Sequence, residues 1–368
     1  MFYKDFKNIK TSFLGMGNMR LPTQDGSWES PIDRAKAHEI IDYAMANGVN
    51  YYDTAYVYHN GESEKFLGKA LTKYPRESYY LATKFFIMAS KDYKAVFEEQ
   101  LARLKTDYID FYLIHGIFDT THQEYIDGGA VEYFKEQKEK GRIKYLGFSS
   151  HANIDNLTSF ANHHKWDFAQ IQLNYFDWLY GNTKQQYEIL EKLGIPIIAM
   201  SPARGGRLAS LSPESEAILK EAQPDWSIAS WAFRWLKKLP GVQVVLSGMS
   251  TLEQIKENTA LFLNGEHLND EQEKLLFKAY ETSRSELIVP CTDCRYCCND
   301  CPAQIDIPKI LEIYNRYKID GSWALNALKD AESKGKPADC TGCGACDERC
   351  PQSIKIKDIM KELEDGTK

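Results

Sequence analysis

Two cysteine-rich runs stand near the end of the chain, CTDCRYCCNDCP at 291–302 and CTGCGACDERCP at 340–351, and residues 1–290 contain no cysteine. Both read C-x2-C-x2-C-x3-C-P: Cys291, Cys294, Cys297 and Cys301 before Pro302, then Cys340, Cys343, Cys346 and Cys350 before Pro351. Thiolates spaced by two can wrap one face of an iron–sulfur cube. The same eight could instead fill two tetrahedral zinc sites, although zinc usually draws two C-x2-C pairs per ion. Cys298, the ninth cysteine, is surplus to the spacing. It reads as a buried thiol beside the ligands or as a competitor of Cys297.

A second set of reactive side chains lies upstream. Asp53, Tyr58, Lys84 and His115 stand at or just beyond the C-terminal ends of successive β-rich runs. Singly, each has an ordinary structural role, Tyr58 being one of 22 tyrosines. Together they make a proton donor. A free phenol has a pKa of about 10. A neighbouring ammonium favours the phenolate and draws that value down, and a carboxylate can hold the ammonium in place. Such a phenol can protonate a carbonyl oxygen as hydride arrives at its carbon.

The elements that must position these groups alternate along residues 1–265. Strands are predicted at 11–16, 49–52, 79–83, 109–114, 144–148, 168–173, 195–200 and 242–247. They are rich in Val, Ile, Tyr and Phe and lack polar alternation, as suits parallel strands covered on both faces. Helical spacing fills the intervals; AHEIIDYAMANG at 37–48, with Pro31 before it and Gly48 at its end, is the clearest case. Eight strands each followed by a helix predict an α/β fold, a closed (β/α)8 TIM barrel with its site at the C-terminal strand ends. An open doubly wound sheet is the alternative. It is weakened because no strand is followed by G-x-G-x-x-G: Gly15-Met16-Gly17 leads into Asn18-Met19-Arg20. A polar helix over 269–287 leads into the cysteine runs, and the stretch between the runs predicts two short helices. The division is therefore 1–285 for the barrel and 286–368 for a small, mainly helical iron–sulfur domain.

A net charge of −7 over 368 residues argues against nucleic acid or an anionic membrane surface as partner. No apolar stretch approaches the roughly 20 residues that span a bilayer. The N-terminal MFYKDFKNIK has no apolar signal core, so a cytoplasmic location is expected, where cysteines serve as metal ligands rather than disulfides.

Several stretches resemble the aldo-keto reductases: LGMGNMRLP (14–22), GVNYYDTAYVYHNGESEKFLG (48–68), LATK (81–84), DYIDFYLIHG (107–116), GRIKYLGFSSH (141–151), QIQLNY (170–175) and GMSTLEQIKEN (248–258). The resemblance implies Tyr58 as general acid, Lys84 and Asp53 as its tuners, and His115 as orienter of the carbonyl oxygen. It implies a nicotinamide dinucleotide whose carboxamide meets Ser149, Ser150 and Gln172, with Met200 under the ring. The remaining cofactor contacts it implies are Gly17, Ser201, Arg204, Gly206, Gly248, Gln254 and Asn258. Ser150 stands where many members carry asparagine, and Met200 where many carry an aromatic ring. Gly248 and Gln254 stand where many carry the Lys and Arg that hold a 2′-phosphate, and Glu253 and Glu257 lie close by. The family favours NADP over NAD; these departures weigh the other way.

The cysteine runs resemble bacterial-type ferredoxins of the helical variety. That resemblance implies two [4Fe–4S] clusters with exchanged fourth ligands: Cys291, Cys294, Cys297 and Cys350 on one, Cys340, Cys343, Cys346 and Cys301 on the other. Two functions follow. One is an enzyme interconverting a small-molecule carbonyl and an alcohol. The other is an electron-transfer or sensing protein whose barrel binds nucleotide and whose clusters serve a redox protein partner. Hydride is a two-electron carrier and each cluster takes one electron. No flavin fingerprint bridges the two, so the clusters are expected to be dispensable for hydride transfer to a simple carbonyl. Phe85, Phe86, Trp178 and Tyr180 are candidate walls of the substrate site.

Overall fold

The computed structural model describes residues 1–27, 30–289, 291, 294–298, 300–331, 333–350 and 352–366. Pro351 lies outside them. The chain forms two compact units, Met1–Leu211 with Leu219–Phe277, and Ser212–Ile218 with Lys278–Lys368.

The first unit opens with a hairpin the sequence pattern did not predict, β1 (Tyr3–Phe6) paired antiparallel with β2 (Ile9–Ser12). Then follow β3 (Leu14–Gly17), β4 (Tyr51–Asp53), β5 (Tyr80–Phe85), β6 (Ile109–Ile117), β7 (Ile143–Ser150), β8 (Phe168–Gln172), β9 (Ile197–Met200) and β10 (Val242–Ser247). These eight close into a parallel barrel, each strand beside its successor and β10 beside β3. Their residues are almost uniformly buried, which explains the missing alternation: the inner face meets the barrel core and the outer face meets helices. The expected strand at 11–16 is in fact the end of β2, a break at Phe13 and the start of β3.

The inside of the barrel is packed by Phe6, Tyr51, Phe111, Phe168, Ile198 and Val244 among others. Phe6 comes from the hairpin and places its ring 5.1 Å from Phe111. The hairpin carries the Phe6 side chain into this core while its outer residues stay wet. The helix expected at 37–48 runs from Arg34 to Ala46, and its N-terminus is capped by the Asp33 carboxylate accepting from Lys36 N rather than set by Pro31.

The second unit is helical, with Ile307–Asp320 and Ile356–Gly366 as its longer elements after residue 290. Its core gathers Ile305, Ile307, Leu311, Ile354, Ile356 and Met360, with cysteines packed against them. The two halves repeat. CPAQIDI at 301–307 matches CPQSIKI at 350–356, a helix starts at the last Ile of each, and Gln304 and Ser353 share left-handed φ values of 52° and 53°. Among the described residues no helix is long and apolar enough to cross a membrane.

Candidate functional site

At the C-terminal ends of β4, β5 and β6 the four reactive side chains converge. The Lys84 ammonium donates to both Asp53 oxygens at 2.6 and 2.7 Å, to the Thr54 carbonyl at 2.7 Å, and to the Tyr58 hydroxyl at 3.5 Å. Lys84 is fully buried and Asp53 nearly so. Burial works against charge on both partners, yet the Asp53 carboxylate and the Tyr58 oxygen more than offset it at Lys84 and hold the ammonium above its ordinary pKa. At Asp53 burial wins and pushes the carboxyl up against the pull of Lys84. With the ammonium nitrogen within hydrogen-bonding reach of both carboxylate oxygens, the ion pair is the form the geometry holds.

Burial also dominates at Tyr58. It raises the phenol above 10, and the opposing pull of Lys84 does not reverse it. The expected downward shift therefore does not appear in the protein alone; the phenol is held protonated instead. His115 lies next to Tyr58, ring centroids 6.0 Å apart and nearly perpendicular, with Phe86 5.1 Å away. Burial, then the Lys84 charge, then His151 hold its imidazole well below the usual value, so it is neutral at physiological pH. Its Nδ1 is buried without a hydrogen-bond partner among the described residues.

A buried polar network backs this constellation. Gln100 donates to the Lys84 carbonyl (3.0 Å) and to Glu64 (2.9 Å), and accepts from Tyr112 OH (2.6 Å). Glu64, fully buried, also takes Thr83 Oγ1 at 2.6 Å and Arg103 at 3.1 Å. Asn18 donates to the Asp53 carbonyl at 2.9 Å. These bonds fix the strand ends that carry Lys84 and Asp53. The motif ESE signals Glu64, but nothing in the chain marks Gln100 or Tyr112 as its partners.

From Asp53 and Tyr58 a cavity of about 470 Å³ extends along the barrel mouth. Gly17, Met200, Ser201, Gly206, Gly248, Gln254 and Asn258, all expected to meet a cofactor, line it. Ser149 and Ser150 are buried at the end of β7, their hydroxyls accepting from Gly116 N and Ala152 N.

Two expected contacts fall elsewhere. The Gln172 amide donates to Asp177 at 2.5 Å, and Gln172 is absent from the cavity wall. Gln170 takes the wall position instead, 2% exposed, its Nε2 3.5 Å from Met200 Sδ and its Oε1 buried without a partner among the described residues. An orphaned amide oxygen on this wall suits a ligand donor such as a carboxamide N–H. The two glutamines stand two residues apart on one face of β8, and depth separates them: Gln172 ends the strand and turns to Asp177, while Gln170 lies deeper in the barrel. Arg204 likewise turns to Asp177, Nε to Oδ1 at 3.2 Å, with its guanidinium 4.0 Å over Phe176. Asp177 also takes Asn174 Nδ2 at 2.7 Å, and Asn174 reaches the Ser201 carbonyl. Asp177 thus ties the loop after β9 to the helix Tyr175–Tyr180, a role no motif announces.

Among the proposed substrate walls only Phe86 faces His115. Phe85 packs outward on Tyr125 and Phe134, Trp178 on Tyr187 and Trp235, and Tyr180 on Phe176.

In the second unit the cysteines surround two hollows. Cys291, Cys294, Cys297 and Cys350 line one, with Pro308, Leu311 and Ile354. Cys301, Cys340, Cys343 and Cys346 line the other, with Ile305, Ile307 and Met360. Cys298 is half-buried and lines neither. Among the described residues no three His, Cys, Asp or Glu converge closely enough to hold a single ion. Four thiols on each hollow are a donor set that suits a four-iron cluster. Burial, then Cys298, pushes the Cys297 thiol up to about 12; burial, then Asp347, does the same at Cys346. Thiols so placed take up negative charge when a metal supplies the opposite one.

This chain belongs to the aldo/keto reductase family, whose profile matches residues 13–281. A 4Fe-4S dicluster domain profile matches residues 290–354, so a ferredoxin-type domain follows the barrel in the chain. It is similar to the uncharacterized oxidoreductase YqkF of Bacillus subtilis, 29% identical over 73% of this chain and 92% of that one. It is also similar to the NADH-specific methylglyoxal reductase of Escherichia coli, 25% identical over 69% and 90%. The solved holo form of aldo-keto reductase AKR11C1 from Bacillus halodurans superposes with a TM-score of 0.64 at 27% identity, over 76% of this chain and 96% of that one.

Proposed function

We propose that residues 1–285 reduce a small carbonyl compound to an alcohol, or run the reverse, with a nicotinamide dinucleotide in the barrel cavity and Tyr58 as proton donor. The observation that carries this reading is Lys84, fully buried, bonded at once to Asp53 and to the Tyr58 hydroxyl. A lysine spends desolvation energy to sit there, and what it faces is a phenol that must give up a proton. The dinucleotide would supply hydride to the carbonyl carbon. Tyr58 gives its proton to the carbonyl oxygen, and the Lys84 ammonium stabilises the phenolate left behind. Asp53 keeps Lys84 charged and in place. Neutral His115 orients the same oxygen through an imidazole N–H. Phe86 shields the site from water. Both NADH and NADPH fall within this reading, and one relative is named for its use of NADH.

Residues 286–368 hold two [4Fe–4S] clusters in the exchanged arrangement, supported by the two four-cysteine hollows. There they would take up and release single electrons. The exposure of Cys294 and Cys343 favours a role in passing electrons to a redox partner. Thiolate ligands suit a reducing, cytoplasmic setting. Tyr58→Phe tests the enzyme reading: carbonyl reduction should fall by about 10²–10⁴-fold, with nucleotide affinity retained. Unchanged turnover would remove Tyr58 from the mechanism.

A further inference from the structure

The cavity has a charge pattern that the tetrad does not use. Past Met200 it runs between the 201–209 loop and the segment after β10, towards Ser227, Gln254, Glu257 and Asn258. Among the described residues lining it, Arg20 is the single basic side chain. Arg204 is turned to Asp177, and Gly248 and Gln254 bring no charge.

Arg20 closes the short turn Asn18–Arg20 after β3, and its backbone carbonyl accepts from Ser250 Oγ at 2.7 Å. Its stem lies over Gly248, where an added Cβ would stand 3.2 Å from Arg20 Cβ and 3.4 Å from Cδ. Its guanidinium reaches the other wall: a Cβ on Gly205 would stand 3.0 Å from Nη2. Gly205 and Gly206 hold φ values of 70° and 98°, so a side chain there would be strained as well as crowded. Arg20 therefore stretches from Gly248 to Gly205, both on the cavity wall, through space that the two glycines leave open.

We propose that Arg20 anchors the cofactor's pyrophosphate and, as the one basic side chain among the described residues lining the cavity, makes it a site for the dinucleotide without a 2′-phosphate. The proposal rests on the nicotinamide reading above. A pyrophosphate bridge brings two negative charges, and a planar guanidinium on the cavity wall meets it with paired N–H donors. A 2′-phosphate would add further negative charge towards the far end, where the Glu257 carboxylate stands, accepting from the Ser227 hydroxyl. With no second basic side chain among the described lining residues, that phosphate meets repulsion and an uncompensated loss of hydration.

The test is fluorescence titration of the anaerobically purified full-length chain with NADH and with NADPH, for wild type, Arg20→Gln, Arg20→Lys and Glu257→Gln, each also measured by thermal denaturation. Wild type should bind NADH at least about tenfold more tightly than NADPH, and Arg20→Gln should weaken NADH by about ten- to a hundredfold, the range for a lost charged hydrogen bond. Arg20→Lys should recover part of that loss, and Glu257→Gln should narrow the gap by improving NADPH. Tighter binding of NADPH to wild type, a result that needs no variant, would overturn the selectivity. An unchanged affinity in a folded Arg20→Gln would overturn the anchor. In either case carbonyl-dependent oxidation of the nucleotide would leave the nicotinamide reading standing. Failure of both nucleotides to bind wild type would overturn both.

Discussion

The barrel and the tail solve the same problem, holding charged groups away from water, by opposite means. In the barrel the opposite charges are built in: Lys84 meets Asp53, and Glu64 meets Arg103. In the tail eight thiols face two hollows, and burial holds two of them neutral. The barrel site is therefore preorganised by its own residues, whereas the tail completes its charge balance with metal. The difference teaches where each region should fail.

The largest effect should come from stripping iron. A unit this small, with cysteines packed against its apolar core, would need bound clusters as staples. Anaerobic chelation should abolish the helical signal of residues 286–368 while the barrel still melts cooperatively on heating. A tail that keeps its circular dichroism without iron would break the contrast. Replacing Lys84 with Met should be next. Turnover should fall by about 10²–10⁴-fold, and stability by about 3–5 kcal/mol because Asp53 is left buried without its partner, both read from kinetics and denaturant melts.

Acid separates the regions further. The chain has eight histidines, all before residue 270. Burial is the leading cause that lowers His38, His59, His115 and His164. A depressed histidine stays neutral in the fold while the unfolded chain takes up its proton below about pH 6.5. Barrel stability should therefore be full above that value and decline as pH drops through it, by up to about 1.4 kcal/mol per pH unit for each such proton. The tail should show no step there. Equilibrium unfolding followed at several pH values would show whether the loss is confined to the barrel. For Tyr58 the direction is opposite. Raised above 10, it remains protonated through neutral pH, so the reduction rate should hold level until the alkaline range.

The smallest effect separates two glutamines. Gln170→Leu should raise the Michaelis constant for the nucleotide roughly tenfold, as for one lost hydrogen bond to a bound group, and Gln172→Leu should act only through Asp177. Equal effects would erase the distinction the wall draws.

Much of this was legible in the chain. Charged and phenolic residues at consecutive strand ends revealed the tetrad because a barrel delivers every strand end to one mouth. The cysteine spacing marked the ferredoxin-type domain for a similar reason: the constraint is local and repeats. What stayed hidden depends on register and on contacts distant in sequence. β1 and β2 are four residues each, with two polar residues in YKDF and three in IKTS, so they gave no run to read. Gln170 and Gln172 share one face of β8 and differ in depth along it and in the partner each finds. Asp177 gains its role from a loop that follows β9, and Arg20 gains its own from two glycines more than 180 residues away. The sign of the Tyr58 shift depended on burial, which composition does not report.

The central claim is that the barrel carries the carbonyl chemistry and the clusters do not. Full-length protein depleted of iron should be compared under anaerobic conditions with cluster-loaded Tyr58→Phe in carbonyl-dependent oxidation of NADH and NADPH. The account predicts that the depleted chain keeps most of its rate and the variant loses nearly all of it. Loss of activity on depletion in a chain whose barrel still binds nucleotide, with activity kept by Tyr58→Phe, would contradict it.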